Sequence, residues 1–312
     1  MPARPFIRLL LVVLAAGHVI AAAAGGASAA VRLSGSFTPL APGLEVAEGI
    51  LTLDDGGDED DAAVGAVEVT LLRVDPAAHE VRIVTPAALP PAAAADGHTL
   101  RGYLDGLGAT AAAAGGLLAS FRPPAPLGLV VSGGRVVSPP HRRWASSGLF
   151  CAGGPGGAAG IRPFGPGAGP DEAAADCLQS GPLLIGPAGV ASADRLRRSI
   201  GVDSSRDFVE ASHPRTFVAL DRRGRVLLGA TGPLDLPRLA AFIAFAAEPG
   251  VLDLAAALNL TGAETAGLLL RTDGGIEVRA GSPDGLPLPN AIAVLGPRAP
   301  GAAPAAAHAS GP

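Results

Sequence analysis

Short apolar segments separated by Gly, Pro and Asp turns recur along most of this chain, and that rhythm restricts it to a strand-rich fold. Residues 43–53 and 66–75 read as strands: Val67, Val69 and Leu71 alternate with Glu68, Thr70 and Leu72. Asp75-Pro76 turns the chain into a further strand over 79–85. Gly133-Gly134 joins 127–132 to 135–138 as a hairpin, and the turn from Arg222 to Arg225 joins 216–221 to 226–231. Strands are also expected over 115–121, 147–151, 177–185, 276–279 and 291–295.

Helical spacing is confined to two segments. Thr99 is expected to cap a short helix over 99–107 that buries Leu100, Tyr103, Leu104 and Leu107. Residues 236–247 place Leu236, Leu239, Ala240, Ile243 and Ala247 on one face. Strands outnumber helices, so the expected fold is α+β: a mixed, largely antiparallel twisted sheet with a few covering helices.

The 312 residues divide into three parts. Residues 1–30 read as a secretory signal peptide: Arg4 and Arg8 precede the apolar run 9–16, and Ala27-Ser28-Ala29 supplies a small-residue cleavage site. That run is short for a membrane span, and no later segment is long and apolar enough to cross a bilayer. The protein is therefore expected to be exported, periplasmic or secreted, with no stable membrane span once the signal is removed. Residues 31–297 are the expected folded domain, long enough for a substantial core. Residues 298–312 form an Ala/Pro-rich tail expected to be disordered. A net charge of −5, with no basic tract, argues against nucleic acid as a partner.

In an exported chain the even cysteine count, Cys151 and Cys177, favours a disulfide over two free thiols. The bridge would close the Gly/Pro-rich segment 152–176, a stabilisation of roughly 3 kcal/mol in the loop-entropy picture. The acidic run 54–61 lacks the spacing of a calcium loop and reads as a solvated connection between strands. Without CxxC or HExxH, zinc is not expected; neither a metal nor a cofactor is.

Common catalytic signatures are absent: there is no GxSxG elbow, no P-loop and no GxGxxG between a strand and a helix. The stretch from Ala257 to Leu270, ALNLTGAETAGLLL, reads as a strand, a small-residue turn and a second strand. Glu264 is the one ionisable side chain in that turn. Small residues admit a ligand close to the backbone, and turn amides can face an anion. A hairpin with an exposed Glu at its tip fits the same residues. Arg215, at the start of a strand, suits a carboxylate or phosphate oxygen, or a salt bridge within the chain. Gln179-Ser180-Gly181-Pro182 sets two hydrogen-bonding side chains at a bend.

In their order and spacing these segments resemble the bacterial phosphodiester glycosidase family. The landmarks are Leu72-Arg73-Val74-Asp75-Pro76, Leu117-Leu118-Ala119-Ser120-Phe121, Leu178-Gln179-Ser180-Gly181-Pro182-Leu183, Pro214-Arg215-Thr216 and Ala257-Leu258-Asn259-Leu260-Thr261-Gly262. The chain departs from the family where Leu118 stands in place of an Asn, and where Thr261 and Ala263 replace the Asp and second Gly of Leu-Asp-Gly-Gly. The resemblance implies hydrolysis of a glycosyl phosphodiester in an envelope or extracellular glycan. It implies Glu264 and Arg215 as catalytic residues, with Gln179, Ser180, Thr261, Gly262 and Ser120 contacting a glycan or sugar-phosphate ligand. The departures keep open a catalytically degenerate relative that binds a sugar phosphate or serves a structural role in the envelope.

Overall fold

The computed structural model describes residues 31–53, 65–90, 99–142, 147–165, 169, 174–191, 196, 209–281 and 285–297. The expected signal peptide, the acidic run 54–61 and the tail from 298 lie outside the described residues.

In chain order the first strands are β1 (Val31–Leu33), β2 (Thr38–Ala41), β3 (Leu44–Leu53), β4 (Gly65–Val74) and β5 (His79–Val84). Helix α1 (Leu100–Gly106) precedes β6 (Ala111–Ala114), β7 (Leu118–Phe121), β8 (Pro124–Pro126), β9 (Val130–Ser132) and β10 (Arg135–Ser138). Next come β11 (Gly148–Ala152), β12 (Gly160–Pro163), β13 (Asp176–Ser180), β14 (Leu183–Gly186) and β15 (Gly189–Val190). Strands β16 (His213–Asp221) and β17 (Val226–Leu234) lead to helix α2 (Leu236–Ala246). The last four strands are β18 (Leu254–Gly262), β19 (Gly267–Thr272), β20 (Gly275–Gly281) and β21 (Ala291–Pro297).

The largest sheet runs β1-β3-β4-β17-β16-β18-β14-β15, with β2 paired to β3. A second runs β10-β9-β13-β11-β12, a third runs β20-β19-β6-β21-β5, and β7-β8 is a separate ribbon. Every pairing among the described strands is antiparallel. The fold is α+β with few helices, and its strands are shared among several sheets rather than gathered into one.

Alternation along the strands explains the layers. Val218 and Leu228 of the large sheet point inward and pack with Ile83, Ala113 and Leu268 of the third sheet and Phe150 and Leu178 of the second. Their neighbours Phe217, Ala219 and Leu227 point the other way, onto Leu239, Phe242 and Ile243 of α2. Leu100, Tyr103 and Leu104 of α1 cover the outer face of the third sheet through Ala112, Leu269 and Ala293. The order of layers is α2, the large sheet, the two smaller sheets, then α1 over the third.

Thr99 caps α1 by accepting from the Gly102 N–H at 3.1 Å. Asp235 caps α2 by accepting from the Arg238 N–H at 2.7 Å. Cys151 and Cys177 are bonded, and they are direct partners on β11 and β13. The bridge therefore reinforces a strand pairing that already closes the intervening loop.

Candidate active site

The stretch centred on Glu264 is not a hairpin. β18 belongs to the large sheet and β19 to the third, so the turn at 262–266 carries the chain from one layer to the next. Such a crossing leaves backbone groups at the rim without ladder partners, and local side chains take over. Thr261 and Thr265 share a hydrogen bond of 2.6 Å between their hydroxyls, and the Thr265 hydroxyl donates to the Gly262 carbonyl at 2.8 Å. The Gly267 N–H donates to the Thr216 hydroxyl at 2.9 Å, which ties the far end of the turn back to β16. Glu264 stands exposed at the crest. Ala263 takes the left-handed conformation, with φ of 56°.

Arg215 is fully buried, at 0% exposure. It faces Gly262 in the register of β16 and β18. Its Nε donates to the Leu234 carbonyl at 3.0 Å and its Nη2 to the Ala211 carbonyl at 2.9 Å, beside the start of α2. A Cβ added to Gly262 would lie 3.1 Å from Arg215 Nη1 and 3.2 Å from the Pro214 carbonyl oxygen. Burial pulls the Arg215 pKa down to about 10, opposed by the charge of Asp235, so the guanidinium remains a cation at neutral pH.

Ser180 reaches the same rim from the second sheet, its hydroxyl donating to the Leu260 carbonyl at 2.7 Å. Arg215 and Ser180 thus pack, fully buried, against the last residues of β18, Thr261 and Gly262 end that strand, and Glu264 stands exposed beyond it. Gln179 and Ser120 are engaged elsewhere. The Gln179 side-chain oxygen accepts from the N–H groups of Leu129 at 2.8 Å and His141 at 2.9 Å, and its amide donates to the His141 carbonyl. Ser120 sits on the β7-β8 ribbon and accepts from the Arg122 N–H at 3.2 Å.

A hollow of about 150 Å³ adjoins the turn, lined by Glu68, Thr70, Thr231 and small residues including Pro214 and Gly281. Pro214 abuts Gly262, and a Cβ on Gly281 would lie 1.9 Å from the Ala266 carbonyl oxygen, so two residues of its wall pack against the two ends of the turn. A larger hollow of about 390 Å³ lies beside Leu183 and Pro187; residues 262–266 line neither hollow. We place the candidate site at the turn, where the charged and hydroxyl groups are. Among the described residues no group of three or more His, Cys, Asp and Glu side chains could hold a metal, and no helix is long and apolar enough to cross a membrane.

Sequence reasoning missed Thr216, Thr265, Glu68 and Thr70. Thr216 adjoins Arg215 in the Pro214-Arg215-Thr216 landmark, and Thr265 follows Glu264. Glu68 and Thr70 left no signal beyond ordinary strand alternation.

The scaffold is thus a layered α+β sandwich whose sheets are joined by a hydroxyl-braced, carboxylate-bearing turn backed by a buried cation. The chain belongs to the phosphodiester glycosidase family, whose sequence profile matches residues 107–295. Among solved structures it is similar to the zebrafish N-acetylglucosamine-1-phosphodiester alpha-N-acetylglucosaminidase catalytic domain, auto-inhibited by its pro-peptide. That match has 17% identity and a TM-score of 0.60, covering 83% of this chain and 85% of that one. A putative exported protein from Burkholderia pseudomallei matches with 12% identity and a TM-score of 0.59, covering 85% and 97%. A hypothetical protein from Synechocystis matches with 14% identity and a TM-score of 0.55, covering 83% and 63%. No curated protein matches the chain by sequence.

Proposed function

We propose that this protein is an exported hydrolase that cleaves a glycosyl phosphodiester in an envelope or extracellular glycan. The observation that carries the reading is the exposed Glu264 carboxylate on a turn between two sheets, with Gly262 at the base of that turn set against the buried Arg215. Membership of the phosphodiester glycosidase family supports the reaction class. The paired cysteines support an oxidising compartment, and the sequence of residues 1–30 supports export through a signal peptide.

In this mechanism the exposed Glu264 carboxylate takes a proton from water as its oxygen attacks the sugar C1. The C1–O bond to phosphorus breaks, and the phosphate departs with the electron pair as a phosphomonoester. One carboxylate suffices, because a phosphate anion needs no general acid to leave. The Arg215 charge lies against Gly262 at the base of the turn, where it favours the anionic leaving group. Incubating the purified protein with methyl phosphodiesters of α-N-acetylglucosamine and of α-glucosamine, and following release of the free sugar, tests the reading. Absence of release with every glycosyl phosphodiester tried overturns it.

One observation favours a second reading, a family member that binds without turnover. Thr261 stands where the family carries Asp, and its hydroxyl is engaged with Thr265. Saturable binding of the diester with no sugar released selects this alternative.

A further inference from the structure

The hollow beside the turn differs chemically from the turn itself. Its charged side chain is a carboxylate, Glu68, which makes no hydrogen bond or ion pair with any described residue. Thr70 is 94% buried, lines the same hollow, and its hydroxyl likewise has no partner among the described residues. Thr231 also borders the hollow, with its hydroxyl proton given to the Gly232 carbonyl at 2.8 Å. Pro214, Ala230, Gly232, Ala280 and Gly281 supply the remaining wall and carry no side-chain donor. The surface therefore accepts hydrogen bonds and carries negative charge. It suits an ammonium or hydroxyl group and repels a phosphate.

Size narrows the occupant. At about 150 Å³ the hollow holds the volume of roughly five waters, enough for one edge of a sugar ring but not for a glycan chain. We propose that this hollow is a subsite for the amine-bearing edge of a hexosamine with a free amino group, held by Glu68 and Thr70. The inference rests on the reading above, in which the phosphate lies on the turn and the sugar extends beside it. N-acetylation removes the positive charge and adds three heavy atoms, so the acetylated sugar fits this hollow less well.

The test separates the subsite from the hydrolysis. Methyl α-glucosaminide and methyl α-glucoside carry no phosphate, and their binding to the full chain is measured by calorimetry or NMR titration. The expected result is a preference for the glucosaminide of about tenfold or more. Glu68→Gln should bring that ratio close to one, and Thr70→Val should weaken glucosaminide binding. Glu68 is exposed, so its amide variant is expected to fold, which circular dichroism checks. Equal binding of the two glycosides, or a ratio unchanged in Glu68→Gln, overturns the subsite. Phosphodiester hydrolysis is assayed separately. Turnover without the amine preference sinks this inference alone; amine preference without turnover sinks the hydrolytic reading alone.

Discussion

Arg215 and Gly262 face each other across β16 and β18 so closely that a methyl group would be tight: a Cβ on Gly262 would lie 3.1 Å from Arg215 Nη1. The backbone at Gly262 is extended, with φ of −153°, so any residue could adopt it and the constraint is one of space alone. Gly262→Ala forces the guanidinium or the Pro214 carbonyl to move. The expected cost is about 1–3 kcal/mol in urea unfolding, with kcat/KM on a glycosyl phosphodiester falling about ten- to a hundredfold as the turn shifts. Wild-type stability in this variant would mean that the contact is slack and that Arg215 does not set the turn.

Glu264 makes a cleaner probe because it is exposed and braces nothing in the turn. Glu264→Gln should leave the unfolding midpoint unchanged. Its kcat should fall by roughly 10²–10⁴ if the carboxylate takes the proton from water, with KM little altered. Steady-state kinetics with the diester decides the point: an unchanged kcat removes Glu264 from the mechanism.

Ala263 holds φ of 56°, where a Cβ crowds the following carbonyl. The Leu-Asp-Gly-Gly pattern that this stretch resembles has glycine at this place, and the left-handed backbone supplies a reason. Ala263→Gly should stabilise the fold by about 1 kcal/mol, because relief of the left-handed strain outweighs the added freedom of the unfolded chain. Thermal and urea unfolding read this directly. A destabilised variant would show that the alanine methyl contributes packing that outweighs the strain.

What could be read in advance depended on whether side chains carried a pattern. The β16-β17 hairpin was legible because apolar residues bracket a charged Arg222–Arg225 turn, and α2 because Leu236, Leu239 and Ile243 recur at helical spacing. β6 was not: Ala111 to Ala114 are four identical small residues, and they form a strand because β19 and β21 pair with them on either side. Periodicity assigns a residue to a face but does not name the partner strand. For that reason the division into sheets, and the crossing at 262–266, emerged only in three dimensions. The landmarks made Arg215, Thr261 and Gly262 legible as candidates, and the structure sets Arg215 opposite Gly262. Thr216, Thr265 and Thr70 were hidden because threonine in a strand is also an ordinary strand former. Gln179 had the right position in the chain, yet its side chain turns to Leu129 and His141.

The two smaller sheets are joined by an ion pair that pH should reveal. Asp176 of β13 is fully buried, and its carboxylate accepts from Arg82 Nε of β5 at 2.6 Å, from the Gly133 N–H at 2.6 Å and from the Ile83 N–H at 3.2 Å. Burial pushes the carboxyl above its ordinary range; the Arg82 charge is the chief opposing influence. Arg82→Met strands that carboxylate with its two backbone donors, at an expected cost of about 3–5 kcal/mol near neutral pH. A carboxyl with a raised folded pKa favours the native state below its unfolded value, about 4, and that contribution is lost as pH rises through the folded value. Without Arg82 the folded value moves higher still. The deficit of Arg82→Met should therefore be small near pH about 4 and widen toward neutrality. Urea unfolding of both proteins across that range measures it, and a deficit that does not vary with pH would show that Asp176 is not the group left uncompensated.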